Sequence, residues 1–280
     1  MSQNTTQYLE SLLSTYTPTS TQFDSARSHR GAIQTRLDTS LGLQEMFETG
    51  SLRHGTGVLW YSDADYIAAL KGVRPGSEWT ALNNVKETLQ GRYPSTSIVI
   101  RRPAVVCQFS DGAVEVVPAY ATFKTNGASD GYWIPDPTGG WMKTHPKEHN
   151  TYVNDANKKP SGAAKKLARL AKIWKYKRNV RVSSCYLEMR AARYASGVGT
   201  WILPWDLHDY LKSLSDRGLA AMNDPTGLGS RFTATSSDST HTDALSKLST
   251  AVSRAAKAKA ANSDGDHGTA IAYLKLLFDQ

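Results

Sequence analysis

Apolar and polar positions follow two different rhythms along this chain of 280 residues. Residues 5–14 carry the pattern of a short helix, which the segment TPTST breaks. A longer helix is predicted over about 21–41, capped by Ser20 or Thr21, with Phe23, Ala26, Ile33, Leu37 and Leu41 at roughly helical spacing. Gly50 and Ser51 follow it after a short connection. The period then shortens to two. GVLWY leads into DADYIAAL as strand-like sequence, STSIVIRRPAVVCQF reads as two strands meeting at Pro103, and AVEVVPAY reads as another. Among these runs GVRPGS is a loop and WTALNNVKETLQGRY is helical, with Trp79, Leu82, Val85 and Leu89 on one face.

Residues 122–160 are rich in Gly, Pro, Asn and Trp and read as a long ordered loop or crossover. From about 161 the helical period returns, with Leu167, Leu170, Ala171 and Trp174 at i, i+3, i+4 and i+7. SSCYLEMRAARYA, PWDLHDYLKSLSDRGLAAM, DALSKLSTAVSRAAKAKAA and GTAIAYLKLLF continue it, interrupted by the polar stretch NDPTGLGSRFTATSSDSTHT. The pattern contains no internal repeat. The predicted fold is α+β: a mixed or antiparallel sheet with helices over 1–160, including the N-terminal helix, and a helical C-terminal lobe over 161–280, the two packed as one unit.

Composition narrows the class without naming a function. The chain is 40% hydrophobic and 21% charged, which is ordinary for a globular protein. No apolar run approaches the roughly 20 residues needed to cross a bilayer, and MSQNTTQYLE has no features of a secretory signal. Cys107 and Cys185 are the only cysteines, which excludes a four-cysteine zinc site and suits a reducing cytoplasm. The formal charge of +8 favours a polyanionic partner, and it concentrates in residues 158–181. A solvated helix face would produce the same run.

The candidate chemistry begins in GSLRHGTGVLWYSDADY, residues 50–66. In a strand, residues two apart share a face, so Asp63 and Asp65 would present two carboxylates side by side. Such a pair is either a polar turn or a site for a divalent cation, which relieves their repulsion. Mg²⁺ takes hard oxygen ligands, often only a few carboxylates completed by water and phosphate. AVEVVPAY supplies one candidate third ligand, Glu115. Gly50 and Ser51 suit close backbone approach and hydroxyl contact to phosphate oxygens. His54 reads as a loop polar residue, His145 and His149 do not form a helical zinc face beside Pro146, and Cys107 is expected in the core. Tyr132, Trp133 and Trp141 are expected to pack between lobes rather than stack on bases.

Taken together, these motifs resemble a family. GS…TG…SDADY resembles the signature of polymerase-β-like nucleotidyltransferases, and VEVVPAY resembles their strand with the third metal ligand. WIPDPTGGWMKTHPKEHNTYVNDAN, LARLAKIWKYKRNVRVSSCYLE and AIAYLKLLF are similar to blocks of the bacterial cGAS/DncV-like nucleotidyltransferases, so the likeness runs from about residue 20 to the end. The resemblance implies a nucleotidyltransferase palm and a helical lobe around a cleft. It implies a cytoplasmic bacterial enzyme that joins nucleoside triphosphates into cyclic oligonucleotides, most simply cyclic dinucleotides, for the CBASS anti-phage system. The product would act on a separate effector protein. Asp63, Asp65 and Glu115 would bind two Mg²⁺, with Mn²⁺ able to substitute. Gly50 and Ser51 would hold the donor triphosphate, and Lys172 and Ser184 would contact its β and γ phosphates. A monomer is expected.

Two positions depart from the family pattern: Glu115 stands where Asp is commoner, and Cys185 stands where an aromatic residue usually follows the serine. The chain lacks the Cys/His module with which animal relatives sense DNA, which argues against direct activation by DNA. From the residues alone, Lys172 also suits a solvated face of an amphipathic helix, and Ser184 also suits a helix cap. Two other functions share the motifs: a transferase acting on an RNA end or a small molecule, and a non-catalytic nucleic-acid-binding protein.

Overall fold

The computed structural model describes residues 3–158, 162–229 and 231–280. Its first half runs α1 (Thr5–Thr15), α2 (Ser20–Leu41), β1 (Leu43–Thr49), α3 (Gly50–His54), β2 (Ala64–Leu70), α4 (Glu78–Arg92), β3 (Ser97–Arg101), β4 (Ala104–Phe109), β5 (Gly112–Phe123), β6 (Ser129–Pro135), β7 (Trp141–Thr144) and α5 (Pro146–Lys158). The second half is helical: α6 (Ala163–Lys177), α7 (Ser184–Gly197), α8 (Leu203–Asp216), α9 (Asp238–Ser263) and α10 (His267–Phe278). The expected lobe boundary at 160/161, the Ser20 cap and the side chains of Phe23 and Ala26 lie outside the described residues.

The strands join in the order β1-β2-β5-β4-β3, with β6 on a further stretch of β5 and β7 on β6. All the central pairs are antiparallel except β2 with β5, which are parallel. A parallel central pair must be covered on both faces, which explains why β2 is almost continuously apolar rather than alternating. Tyr66, Ala68 and Leu70 of β2, with Val114 and Val116 of β5, bury against Ile33 and Leu37 of α2 and Leu82, Val85 and Leu89 of α4. Ile67, Ala69, Val117 and Ala119 turn to the opposite face, beneath Tyr132 and Ile134 of β6. Asp65 and Glu115 share the parity of this second set, so the sheet itself aims both carboxylates away from α2 and α4.

Several expectations are corrected. The short connection before Gly50 is strand β1, whose alternation is blurred by a register shift between Leu43 and Glu45. GVLWY is a turn rather than a strand, with Trp60 in the left-handed region at φ 68°. Trp79 leaves the buried face of α4 and lies under the Arg102 guanidinium, 5.2 Å from it. The region 122–160 holds the β6–β7 hairpin and α5. Helix α8 stops at Asp216, and Met222 pairs with Phe232 in an isolated bridge. Trp141 packs edge-on against Tyr120, and Trp133 lies under Arg74, so both pack within the sheet half rather than between the lobes.

The helical core gathers more than the second half. Tyr8, Leu9, Leu12 and Leu13 of α1, Val58, and Val153 and Ala156 of α5 pack with Leu167, Leu170, Trp174, Leu187, Leu207, Tyr210 and Phe278. The first helix, placed with the palm by sequence order, therefore belongs to the helical core. Among the described residues no helix is long and apolar enough to cross a membrane.

Candidate active site

Two neighbouring strands bring the acids together. The β1–β2 ladder sets Thr49 opposite Asp65, and the parallel β2–β5 ladder sets Asp65 opposite Glu115. Asp63 precedes β2 by one residue. Gly50 follows Thr49 at φ 67°, in the left-handed region that favours glycine. A Cβ at Gly50 would stand 2.7 Å from Asp65 Cγ, so the Asp65 carboxylate fills the space a side chain would need. Gly50, Ser51, Asp63, Asp65 and Glu115 are thus one locality, built from β1, α3, β2 and β5.

The electrostatics of the three acids are distinctive. Burial raises the Asp65 carboxyl well above the usual range, and Glu115, Asp63 and Glu188 raise it further, opposed by Lys172. Burial and Asp63 raise Glu115, while a hydrogen bond with Asp65 opposes them. Two carboxyls can share such a bond only if one holds a proton. Burial raises Asp63 as well, opposed by Arg101. Other carboxylates of this chain sit on cations, as Glu45 does on Lys147 at 2.7 Å; these three form no ion pair among the described residues.

Among the described residues no three His, Cys, Asp or Glu side chains converge into a ready-made metal cage. The donor set instead fits an open site: few hard oxygens, mutually repelling, partly exposed. Mg²⁺ prefers such a site, because water and substrate phosphates complete its shell.

The facing wall comes from α6 and α7. Lys172 is 1% exposed, and its ammonium donates to Glu188 at 2.6 Å and to Thr56 at 3.1 Å. Glu188 also accepts from the Thr56 hydroxyl at 2.6 Å and lies 2.7 Å from His54 Nδ1. Burial would raise the Glu188 carboxyl, but the Lys172 ammonium and His54 outweigh it and hold it well below the usual range. Arg169 of α6 donates to the carbonyls of Gly55 and Gly57, each at 2.8 Å. The chain just after Gly50–Ser51 is therefore anchored to the helical core at four side chains: His54 and Thr56 from one side, Glu188 and Lys172 from the other.

Lys172 thus meets a buried carboxylate rather than open cleft. The cation beside Ser184 is Lys175, whose ammonium donates to the Ser184 hydroxyl at 2.7 Å. Burial and the neighbouring Lys172 charge push the Lys175 ammonium down to about 8, opposed by Glu188. Tyr176 lies 3.4 Å from Ser184, stacks on Tyr61 at 4.4 Å, and feels the charges of Asp63 and Asp65. Tyr176 thus joins Ser184 to the field of the two aspartates. Ser184 is the first residue of α7, but the capping hydroxyl is that of Ser183, which accepts from the Tyr186 N–H at 3.3 Å.

Lys175, Glu188, Thr56, Arg169 and the Tyr61–Tyr176 stack escaped the reading from sequence. Lys175 follows Lys172 by one helical turn, so the period marks both lysines and cannot rank them. Cys107 is buried in β4, its thiol pushed up to about 12 by burial. His149 pairs with Asp224 at 2.7 Å, and His145 is buried beside Gly131.

Known proteins resemble this chain in sequence and in fold. The sequence profile of the second messenger oligonucleotide or dinucleotide synthetase domain matches residues 1–157. A probable cyclic nucleotide synthase of Bacillus cereus is 27% identical over 140 residues, which is 49% of this chain and 42% of that protein. The chain thus matches less than half the length of that relative. Among solved structures, CdnC of Escherichia coli MS115-1 with ATP superposes with a TM-score of 0.77 at 17% identity, over 99% of this chain and 98% of that one. CdnG of Bradyrhizobium diazoefficiens, solved in complex with GTP, superposes with a TM-score of 0.68 at 13% identity, over 98% of each chain.

Proposed function

From the premise that this chain belongs to the second messenger oligonucleotide or dinucleotide synthetase family, we propose that it is a nucleotidyltransferase that joins nucleoside triphosphates into a cyclic oligonucleotide, most simply a cyclic dinucleotide. The observation that carries the reading is the register of Asp65 on Glu115 beside Gly50, with Lys175, which forms no ion pair among the described residues, bonded to Ser184 in the helical wall. Asp63, Asp65 and Glu115 would hold two Mg²⁺, with Mn²⁺ able to substitute; when bound, the ions neutralise donor phosphates and acidify the acceptor hydroxyl. Gly50 lets the donor triphosphate approach the backbone, and Ser51 offers it a hydroxyl. Lys175, held by Ser184, reaches the same phosphates from the helical wall, taking the part that the family resemblance assigns to Lys172. The acceptor ribose hydroxyl attacks the α-phosphorus in line: its O–P bond forms, the bond to the β-phosphate oxygen breaks, pyrophosphate leaves and the hydroxyl proton is released. A second such attack closes the ring. Most of the acceleration comes from positioning and charge complementarity.

The product would serve as a second messenger in CBASS anti-phage defence, made by a cytoplasmic monomer and read by a separate effector protein. The test is incubation with labelled nucleoside triphosphates and Mg²⁺ or Mn²⁺, followed by phosphatase and mass spectrometry. A phosphatase-resistant product that Asp63→Asn does not form supports the reading. A linear product or a labelled RNA end assigns the chain to another polymerase-β-like transfer. Salt-sensitive RNA binding without turnover makes it a binding protein.

A further inference from the structure

One line of register crosses the whole sheet through the acids. Thr49, Asp65, Glu115, Val106 and Val99 are successive register partners across β1, β2, β5, β4 and β3. Gly50 and Ser51 adjoin one end of this line. At the other end, Arg101 lies two residues beyond Val99, so it occupies the same face of β3 as Val99, the face of Asp65 and Glu115. Ile98 packs on the opposite side, in the core under α2 and α4.

Arg101 behaves unlike its neighbour. Arg102 lies 3.5 Å from Glu78 and stacks over Trp79. Arg101 is exposed and makes no hydrogen bond or ion pair among the described residues. Its charge nonetheless opposes the upward shifts of both Asp63 and Glu115. By register it is therefore a cation on the acids' own face of the sheet, two strands from Glu115 and bonded to none of the acids.

In-line displacement fixes what this end of the sheet must receive. The leaving pyrophosphate departs on the side where Gly50, Ser51 and Lys175 hold the donor. The attacking hydroxyl enters from the opposite side, which is the side of β4 and β3. The acceptor in the first transfer is itself a nucleoside triphosphate, a polyanion approaching three carboxylates. We propose that Arg101 binds a phosphate of the acceptor nucleotide and so positions its ribose hydroxyl beside Asp63, Asp65 and Glu115. This inference rests on the nucleotidyltransferase reading above. Arg101 is a positioning residue: it touches the acceptor's phosphates, remote from the reacting oxygen.

The experiment compares two acceptors in one enzyme preparation. With donor nucleotide fixed, initial rates of phosphodiester formation are measured using a nucleoside triphosphate or the matching unphosphorylated nucleoside as acceptor, in wild type, Arg101→Ala and Arg101→Lys. A lost charge-assisted contact lowers kcat/KM for the triphosphate acceptor by about tenfold or more in Arg101→Ala. The nucleoside acceptor, which has no phosphate to lose, stays within about twofold, and Arg101→Lys recovers part of the triphosphate rate. Thermal unfolding of the full chain should be unchanged, since Arg101 is exposed at a strand end. Equal losses with both acceptors would overturn the proposal, as they would mean that Arg101 acts on the acids and not on the acceptor. No loss with either acceptor would overturn it too. A wild type that forms no phosphodiester with any nucleotide would overturn the function itself, an outcome distinct from an active wild type with an unaltered Arg101→Ala.

Discussion

Lys175 offers the sharpest handle on nucleotide binding, because its charge is poised to change near neutral pH. Burial and the Lys172 charge lower its ammonium from 10.5 to about 8. Unliganded, it is roughly nine-tenths charged at pH 7 and about one-tenth charged at pH 9. A triphosphate beside it favours the charged form, so binding at pH 9 draws nearly one proton from solvent. The dissociation constant of a non-hydrolysable nucleotide analogue should therefore rise about tenfold from pH 7 to pH 9. Phosphate oxygens add little titration in this window, since their second ionisation, near pH 6, is about nine-tenths complete at pH 7. Full restoration of the ordinary ammonium would correspond to about 3 kcal/mol, a ceiling that solvent screening reduces because the side chain is partly exposed. The same shift acts on stability with a definite sign. The unfolded chain holds this proton up to about pH 10.5 and the folded chain only to about pH 8, so the unliganded protein gains stability across that interval. Titration calorimetry in two buffers of different ionisation enthalpy reads both affinity and proton uptake. Lys175→Arg, which keeps its charge, should bind with no slope, and Lys175→Met should bind weakly with no slope. A wild-type constant that stays within twofold between pH 7 and 9, with no proton uptake, would refute a phosphate role for Lys175.

Three further outcomes follow from the same geometry. Gly50→Ala combines a left-handed backbone with overlap onto the Asp65 carboxylate, so it should cost about 1–3 kcal/mol of stability and at least about a hundredfold in kcat, measured by thermal unfolding and product formation. Asp65→Asn should abolish turnover yet raise Tm in metal-free buffer, because the Asp65 carboxyl is raised in the fold and its charge is destabilising above the usual carboxylate range; added Mg²⁺ should raise Tm of the wild type and not of the variant. Glu188→Gln leaves Lys172 buried without its counter-charge and should cost about 3–5 kcal/mol, seen as a drop in Tm of roughly 10 °C. Since the Glu188 carboxyl is depressed, its contribution is fully present above about pH 4.5 and fades as acid protonates it, so the variant should also lose that part of the wild type's acid sensitivity.

How far the sequence reveals this site depends on which spacing carries the information. Period-two alternation sufficed to place Glu115 in a strand and Asp65 in another, since each lies inside a long β-branched or alanine-rich run. That the two strands are parallel neighbours, with Asp65 on Glu115, is a long-range pairing that no local pattern encodes. The family resemblance pointed to Lys172, but Lys175 lies one turn further along the same helix. Glu188 alone distinguishes them, and it reaches Lys172 from another helix. The β6–β7 hairpin went unseen because Gly131, Gly139 and Gly140, all at positive φ, interrupt alternation where the chain turns. Strand β1 was hidden by its own irregular register. The placement of α1 with the helical core follows from burial of Leu9 and Leu12 against α6, α8 and α10, contacts that span most of the chain.

The anchoring of Glu188 to Lys172, Thr56 and His54 has a consequence for how a ring can be built. Drawing the phosphate loop away from α7 would take His54 and Thr56 from the Glu188 carboxylate and leave it only Lys172, so two hydrogen bonds to a buried charge, together several kcal/mol, oppose the movement. The gap between the halves is thus a fixed gauge and not a closing jaw. On the proposed reading the linear intermediate turns around between walls that stand still, so the fixed spacing of those walls limits the length of chain that can be closed.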